Sequence, residues 1–400
     1  MNYKSLTLLV LTVLLSVAGI QAQDESQQDD GFVFTDEIEI EHTSVKNQYK
    51  SGTCWSFAGL AFVEAELYRM TGKEYDLSEM FVVSHTYSDK AEKYVRMHGQ
   101  TNFGSGAEMT DVLRVWKKYG MVPETTCNGL NYGELNHNHG EMDEVLKAYV
   151  DAIIKNKNGK ITPVWHEGFN AVLEAYLGEI PEKFTYDGVE YDPRKFADMT
   201  GFNPDNIVEI TSYTHRPYYE EFVMEIPDNW LWAPIWNVRL DEMMAIIDNA
   251  LENGYTVNWG ADVSDKGFSW KNGVAIIPDE EKPDLSGTEK EKWEALTSKE
   301  KQKALYNFDG PVKEKEITPE MRQEHYDNYM VTDDHGMLIV GTAKDQEGNK
   351  YYKVKNSWGT EGHIYEGYFY ASVAYVRLQT VGIAVHKDAV PAEIGKKLGF

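Results

Sequence analysis

The sequence predicts a mixed α and β protein, and three stretches carry that prediction. Residues 54–63 are apolar nearly all round, as in a central helix, and helical patterns recur at 107–119 and 140–155. One β-branched run begins at His335, and a second run ends at Asn356. The chain has 400 residues, which is enough for two domains with a sizeable core.

The N-terminus is typical of a secretory signal peptide. Lys4 precedes an apolar run at residues 6–18, and Ala22 provides a small residue for signal-peptidase cleavage. The run is too short for a comfortable membrane span, and no cysteine lies near the cleavage point to take a lipid. We therefore predict that residues 1–22 are removed, that residues 23–31 form an acidic leader, and that the protein is periplasmic or secreted without a membrane span.

Cys54 stands between a glycine-containing turn and the apolar helix. Helix N-termini favour anions, so a cysteine at this position can be held as a thiolate near neutral pH. Gln48 lies six residues earlier, and its side-chain amide could bind a developing oxyanion together with the Cys54 N–H. The alternative is a buried structural cysteine that opens a core helix.

The second half of the same helix is charged. Glu64, Glu66 and Arg69 are expected to face solvent, and Gly72 is expected to end the helix. This pattern predicts a helix that is central at its start and superficial at its end.

Two downstream residues favour a nucleophilic Cys54. His335 opens the first β-branched run and Asn356 ends the second, with a turn predicted at residues 345–349. An antiparallel hairpin of this length would bring the Asn356 amide beside the imidazole, where it can fix the tautomer and orientation. A lone histidine is more often a satisfied polar residue, but the order Gln, Cys, His, Asn indicates a catalytic site.

These segments resemble the papain superfamily, and more closely its bleomycin hydrolase and aminopeptidase C branch. The resemblance rests on residues 47–58 around the cysteine, 332–337 around the histidine and 355–359 around the asparagine. The papain signature C-G-[SA]-C-[WY] is nearly matched by SGTCW, in which Ser51 replaces the first cysteine. Weaker matches follow in the family's order at residues 77–79, 104–106, 118–120 and 260–274.

The resemblance implies an α+β, papain-like two-domain fold with large insertions. A helical left domain at residues 32–230 would carry the cysteine, and a β-rich right domain at residues 231–400 would carry the histidine and asparagine. The cleft would run between the two domains, as expected for a site at a domain interface.

The resemblance also gives each site residue a role. Cys54, paired with His335, attacks the scissile carbonyl, and Gln48 with the Cys54 N–H stabilises the oxyanion. His335 protonates the leaving amine and then activates the water that clears the thioester. Asn356 holds the imidazole, and Trp358 shields that hydrogen bond from water.

Three further residues have two interpretations each. Asp334 is a candidate for keeping the imidazole charged, and a simple strand-edge acid is the alternative. Gly104 and Gly106 resemble the glycine wall that binds an extended substrate backbone, and plain turn glycines are the alternative.

The spacing indicates that both domains are enlarged. His335 lies 281 residues after Cys54, about twice the roughly 130–150 residues typical of papain-type enzymes. The surplus falls at residues 131–230 and at residues 279–328, where residues 289–303 are expected to form one charged helix. Such insertions form lids, hooks, subunit contacts or plain surface elaboration. In the bleomycin hydrolase branch they build a hexameric ring, so a homo-oligomer is one expectation.

Composition argues against several other functions. A formal net charge of -26 without a basic stripe argues against a nucleic-acid partner. Such acidity most often means only a soluble surface, and long-range attraction of cationic peptide substrates is the alternative. With Cys54 free, the second cysteine, Cys127, is unpaired and is expected to be partly buried. No Cys/His cluster has ligand spacing, and His137 and His139 are expected in a polar loop, so no metal or cofactor is predicted.

The C-terminal segment bears on which bond is cleaved. Residues 390–400 resemble the helix that precedes a C-terminal arm in bleomycin hydrolase-like enzymes, where the arm caps the substrate amine. The arm is expected to be missing or much shortened here. The family resemblance favours an aminopeptidase, whereas the missing arm favours an endopeptidase. A peptide-binding scaffold without catalysis, and a Cys-His acyltransferase or transglutaminase, are the alternatives from other classes.

Overall fold

The computed structural model of this protein describes residues 31–280 and 287–400. The predicted signal peptide and all but the last residue of the predicted leader lie outside the described residues. Within them the α+β class is confirmed, with α-helices that begin and end as follows: α1 Cys54–Thr71, α2 Glu79–Arg96, α3 Met109–Tyr119, α4 Gly140–Ile154, α5 Val164–Leu177, α6 Pro193–Thr200, α7 Leu240–Glu252, α8 Gly287–Ala295, α9 Ser298–Leu305, α10 Pro319–Asp327, α11 Val373–Gln379 and α12 Ala392–Leu398.

The strands concentrate in the second half of the chain. Their bounds are β1 Thr35–Glu39, β2 Phe184–Tyr186, β3 Val189–Tyr191, β4 Ile207–Thr211, β5 Glu221–Val223, β6 Pro234–Asn237, β7 Val257–Ala261, β8 Phe268–Ser269, β9 Val274–Ala275, β10 His335–Lys344, β11 Lys350–Lys355, β12 Tyr368–Ser372 and β13 Thr380–His386. Strands β2 and β3 form a small hairpin, and the others join one mixed sheet.

The large sheet has the strand order β5-β6-β4-β13-β7-β10-β11-β12-β9-β8, and β1 also pairs with β10. Most neighbours are antiparallel, while β4 with β6 and β9 with β12 are parallel. Strands β4 and β5 lie before the predicted domain boundary near residue 230, yet they belong to the same sheet as β10. That boundary stays a prediction.

Two apolar cores flank the site. The first packs α1 to α6 around side chains such as Leu60, Phe62 and Phe81, and the second packs α7 and α11 on the sheet around Trp259 and Ile339. Their apolar burial is the main stabilising term in folding.

Helix α1 meets β10 through a residue that has no side chain. A Cβ atom at Gly336 would lie 3.3 Å from the Trp55 Cα and 3.4 Å from the Ala58 Cβ. The helix that begins at Cys54 therefore packs directly on the strand that begins at His335.

The charged end of α1 differs from the sequence expectation. Glu64 and Glu66 are buried, with 1% and 5% of their surface exposed. Lys46 contacts Glu64 at 3.2 Å and Glu79 at 2.7 Å, and we call these three residues the Lys46 cluster. Burial without loss of the charge requires such partners. The expectation that Gly72 ends the helix is confirmed, because Gly72 adopts the left-handed conformation at the C-cap.

The predicted single helix at residues 289–303 is also wrong. The structure has α8 and α9 instead, because Thr297 caps the second helix and accepts a hydrogen bond from the Glu300 N–H. Side-chain caps of this kind start a helix at a defined residue. No helix in the described part of the chain has the length and apolar character needed to cross a membrane.

Candidate active site

The nucleophile candidate is positioned by a tight turn. Cys54 is the first residue of α1, and Gly52 before it has a φ of 65°, a conformation that favours glycine. The Trp55 indole Nε1 donates to the Ser105 carbonyl at 2.8 Å. This contact joins the cysteine turn to the segment that contains Gly104 and Gly106.

The predicted hairpin forms, and it brings the histidine and asparagine together. Strands β10 and β11 pair antiparallel, and the His335 Nε2 lies 2.7 Å from the Asn356 Oδ1. The same oxygen accepts the Ser357 N–H at 2.7 Å. Since an amide oxygen only accepts, Nε2 of His335 carries the proton and Nδ1 is left to act as a base. The Trp358 ring covers this pair, with its centroid 4.7 Å from that of the imidazole.

Burial sets the protonation of the two reacting groups. It raises the pKa of the Cys54 thiol to about 12, with smaller contributions from the charges of Asp333 and Asp228. It lowers the pKa of His335 to about 4, against the opposing hydrogen bond from Asn356. Desolvation disfavours the charged form of each group. Burial by itself therefore favours the neutral form of each group, and it opposes the thiolate expected for Cys54 at a helix N-terminus.

Gln48 lies in the same cleft in a fixed orientation. Its Oε1 accepts the Ser357 hydroxyl at 2.6 Å, and its backbone N–H donates to the Ser357 carbonyl at 2.8 Å. The occupied oxygen leaves the Nε2 of this amide to face a substrate, which is the atom that an oxyanion hole requires.

The structure separates Asp334 from the imidazole. Its carboxylate accepts hydrogen bonds from the Ser264 N–H at 3.2 Å and from the Thr332 hydroxyl at 2.8 Å. These contacts are those of an acid that holds a loop at the strand edge. They fit the simpler of the two interpretations given above.

Gly104 and Gly106 line the cleft beside Cys54. The buried Lys90 donates to both of their carbonyl groups, at 3.0 Å to Gly104 and at a shorter distance to Gly106. A lysine that reaches the carbonyl groups of two residues on either side of Ser105 holds this stretch of backbone in one shape. The two glycines are therefore part of a rigid wall.

The cleft has a volume of about 540 Å³, and it contains a group of acids that was not predicted from the sequence. We call Glu108, Asp228 and Asp333 the cleft acids. Burial raises the pKa of all three carboxyl groups, to about 6 for Asp333 and well above the usual range for Glu108, where the charge of Asp333 adds to the effect. Asp333, two residues before His335, carried a positional signal, whereas Glu108 and Asp228 carried none.

The remaining predicted positions are structural. Cys127 is buried and carries no disulfide. His137 and His139 lie in a loop, as expected, and His139 is fully buried there because the loop pairs with Lys50 near the cysteine turn. Within residues 31–280 and 287–400, no group of three or more His, Cys, Asp or Glu side chains could hold a metal ion.

A family model and the relatives of known function place this chain in the same family. The family model described as Peptidase C1-like matches residues 10–278 and 302–399. Aminopeptidase C of Streptococcus thermophilus is 22% identical over 416 residues, which cover 92% of this chain and 85% of the relative. Aminopeptidase C of Listeria monocytogenes is 23% identical over 408 residues, which cover 90% of this chain and 84% of the relative.

A solved structure supports the fold. The crystal structure of PepW from Lactobacillus rhamnosis has a TM-score of 0.67 at 20% identity and covers 91% of this chain and 84% of its own. The predicted papain-like architecture and the resemblance to the bleomycin hydrolase and aminopeptidase C branch are confirmed. The chain belongs to the Peptidase C1-like family and is a cysteine-type peptidase.

Proposed function

We propose that this protein is an aminopeptidase that hydrolyses peptides through an acyl-enzyme on Cys54. The observation that carries the proposal is the 2.7 Å contact between the His335 Nε2 and the Asn356 Oδ1 in the cleft that Cys54 and Gln48 also line. A base oriented by a third group beside a nucleophile is the arrangement that covalent catalysis requires. Aminopeptidase C is the name of several relatives that align along most of the chain.

The proposed reaction passes one proton from Cys54 to His335 and then to the leaving amine. As the Cys54 Sγ attacks the scissile carbonyl carbon, the His335 Nδ1 takes the thiol proton, and the Gln48 Nε2 and the Cys54 N–H stabilise the oxyanion. The imidazolium then gives this proton to the leaving amine as the carbon–nitrogen bond breaks, which leaves a thioester. Water, deprotonated by His335, attacks the thioester and restores the thiol.

Five neighbouring residues support these steps. Asn356 keeps the imidazole in the tautomer that presents Nδ1, and Trp358 keeps water away from their hydrogen bond. Gly104 and Gly106 present backbone to the substrate residues before the scissile bond. Asp334 holds the loop in front of β10 and takes no proton.

The test uses one fluorogenic aminoacyl amide with a free amino group and the same compound after acetylation. We expect acetylation to lower kcat/KM by at least tenfold, because an aminopeptidase uses the ammonium group to position the substrate. Equal rates on the two compounds would show an endopeptidase instead.

Chemical labelling tests the nucleophile independently. An epoxide of the E-64 type should label Cys54 in the reduced, folded protein, as shown by mass spectrometry. Cys54→Ala should abolish both labelling and turnover, while Cys127→Ala serves as the matched control and should retain both. A folded wild-type protein that is neither labelled nor active would favour the non-catalytic scaffold.

Export and assembly are further parts of the proposal. An exported protein should be recovered from the periplasm or the medium with Gln23 as its first residue, which N-terminal sequencing would show. A hexamer should elute at about six times the mass of the chain when size-exclusion chromatography is combined with light scattering. Recovery of the uncleaved chain from the cytoplasm, or a monomeric mass, would contradict the respective part.

A further inference from the structure

The connection between β5 and β6 crosses the cleft. We call residues 224–233 the crossing segment. It leaves the large sheet and reaches the helical lobe, where the Trp230 Nε1 donates to the Asp111 carboxylate at 3.1 Å. The Lys93 ammonium lies 4.0 Å from the centre of the Trp232 ring. A segment held by an indole hydrogen bond and a cation–π contact is a fixed wall of the cleft.

Asp228 is the residue of this segment that meets the glycine wall. Its Oδ1 accepts the Asn102 Nδ2 at 2.8 Å, and a Cβ atom added at Gly106 would collide with its carboxylate. The carboxylate therefore stands against the backbone that an extended substrate would follow away from Cys54. Other residues of the crossing segment, among them Met224, Ile226 and Asn229, also line the cleft.

One lysine supplies positive charge near these acids. Lys90 lies near Asp228, but its ammonium group donates to the carbonyls of Gly104 and Gly106. Glu108 Oε1 and Asp333 Oδ2 are buried and meet no N–H donor within the described part of the chain, so the two carboxyl groups pair with each other, through a proton held by one of them. Uncompensated buried carboxylates are costly, and a bound cation would recover much of that cost.

A buried amide in the same cleft also lacks a partner. Asn258 on β7 is 8% exposed and lines the cleft, and its Nδ2 donates to no group among residues 31–280 and 287–400. An unpaired donor in the wall of a binding cleft is available to a substrate carbonyl. The cleft thus offers an acceptor for a cation and a donor for a peptide group.

We propose that Asp228 binds the α-ammonium group of the peptide substrate and that the crossing segment closes the cleft beyond Gly106. This inference rests on the proposed aminopeptidase function and names the residue that determines it. Asp333 adds negative charge to the same cleft when it is ionised, and Asn258 donates to the substrate backbone. The side chain of a basic residue offers the same cationic chemistry, so the experiment must separate the two sources.

The experiment compares four fluorogenic amides, of leucine and of arginine, each with a free and an acetylated amino group. In Asp228→Asn we expect kcat/KM for both free-amine substrates to fall by about 10- to 100-fold, the range for losing a charge-assisted hydrogen bond. The rates for both acetylated substrates should stay within about twofold. The preference for a free amino group would then largely disappear.

The matched control is Glu225→Gln. Glu225 belongs to the crossing segment, but its carboxylate is exposed and pairs with Arg216 at 2.7 Å. This variant should keep the wild-type preference for a free amino group. An unchanged preference in Asp228→Asn would overturn the assignment, and so would a loss confined to the two arginine substrates, which would show recognition of the side chain.

Two measurements distinguish a failure of the Asp228 assignment from misfolding of the variant and from failure of the proposed function. Titration of Cys54 with the epoxide counts intact sites in every variant, so rates are compared per active site. If Asp228→Asn does not fold, digestion of a long peptide by the wild-type protein tests whether the crossing segment closes the cleft. Stepwise loss of residues from the N-terminus supports closure by the crossing segment, whereas internal cleavage overturns it. Absence of labelling and turnover in the wild type would contradict the proposed function itself.

Discussion

Two groups of buried carboxylates in this protein differ in the partners that their oxygen atoms have. In the Lys46 cluster, both oxygens of Glu64 have protein partners, namely Lys46, the Thr43 hydroxyl and the Leu77 N–H. Among the cleft acids, Glu108 and Asp333 each keep a buried oxygen that meets no N–H donor among the described residues, and the two carboxyl groups hydrogen-bond to each other only when one of them is protonated. The first group is neutralised by a cation of the chain, whereas the second is neutralised by a proton or by a cationic ligand.

This difference in partners shows how buried carboxylates with a structural role can be told from buried carboxylates that serve a ligand. Burial raises the carboxyl pKa in both groups, to about 7 for Glu79 beside Lys46 and to about 6 for Asp333 in the cleft. The pKa direction therefore does not distinguish them. The distinction comes from the hydrogen-bond partners, since natural proteins rarely leave buried polar atoms unpaired without a functional reason.

The largest effect on stability is expected when the ammonium group of Lys46 is removed from the Lys46 cluster. Lys46→Met leaves Glu64 and Glu79 buried without their ammonium partner. We expect the free energy of unfolding at pH 8 to fall by about 3 kcal/mol, as for other buried pairs from which one partner is removed. Urea denaturation followed by circular dichroism would measure it.

Lys73→Met is the control for this comparison. Lys73 pairs with Asp187 at 2.6 Å, but both side chains are exposed. Exposed pairs contribute little, so this variant should lose about 0.5 kcal/mol or less. Equal losses in the two variants would contradict the view that the Lys46 cluster is a buried structural unit.

A smaller effect is expected from Lys90, which connects the cleft acids with the glycine wall. Lys90→Met removes the hydrogen bonds to the Gly104 and Gly106 carbonyls, so we expect a loss of about 1–2 kcal/mol in unfolding free energy. The loosened wall should raise KM severalfold and change kcat less. Steady-state kinetics on a free-amine substrate would measure this. Arg96→Met, at the exposed end of the same helix, should change neither value, and a pure kcat defect in Lys90→Met would contradict the positioning role.

The sequence predicted the parts of the site that depend on local structure. The hairpin that joins His335 to Asn356 follows from two β-branched runs and a turn between them, and the contact spans 21 residues. The helix that begins at Cys54 follows from its apolar run and preceding glycine. Such signals are contained in short windows of the chain.

The rest depended on tertiary contacts between distant segments. The hydrogen bond that places Asp228 joins residues 126 positions apart, within a region that carries no motif. The burial of Glu64 depends on Lys46, which lies in a loop 18 residues earlier, so the helical pattern alone indicated a solvent-facing residue. The break between α8 and α9 depends on Thr297, whose hydroxyl group accepts a backbone N–H of α9 and so starts a new helix.

An effect similar in size to that of Lys90→Met but opposite in sign, a gain in stability, is expected on removing a cleft acid. Burial raises the pKa of Asp333 to about 6 in the folded protein, whereas an unfolded aspartate has a pKa of about 3.9. Above pH 6 the folded state therefore carries a disfavoured charge, and below pH 4 the carboxyl group is protonated in both states. Asp333→Asn should raise the unfolding free energy by about 1–2 kcal/mol at pH 7.5, and the gain should disappear as the pH falls from about 6 to about 4.

Urea denaturation at pH 7.5, 5 and 4 would measure this difference between the two groups. Glu64→Gln is the matched change in the Lys46 cluster, and it should lose stability at pH 7.5 because it weakens an existing ion pair. A destabilised Asp333→Asn at pH 7.5, or a gain that persists undiminished at pH 4, would show that the cleft acids have partners that satisfy them. In that case they would be a second structural group, and the cleft would no longer require a cationic ligand to compensate them.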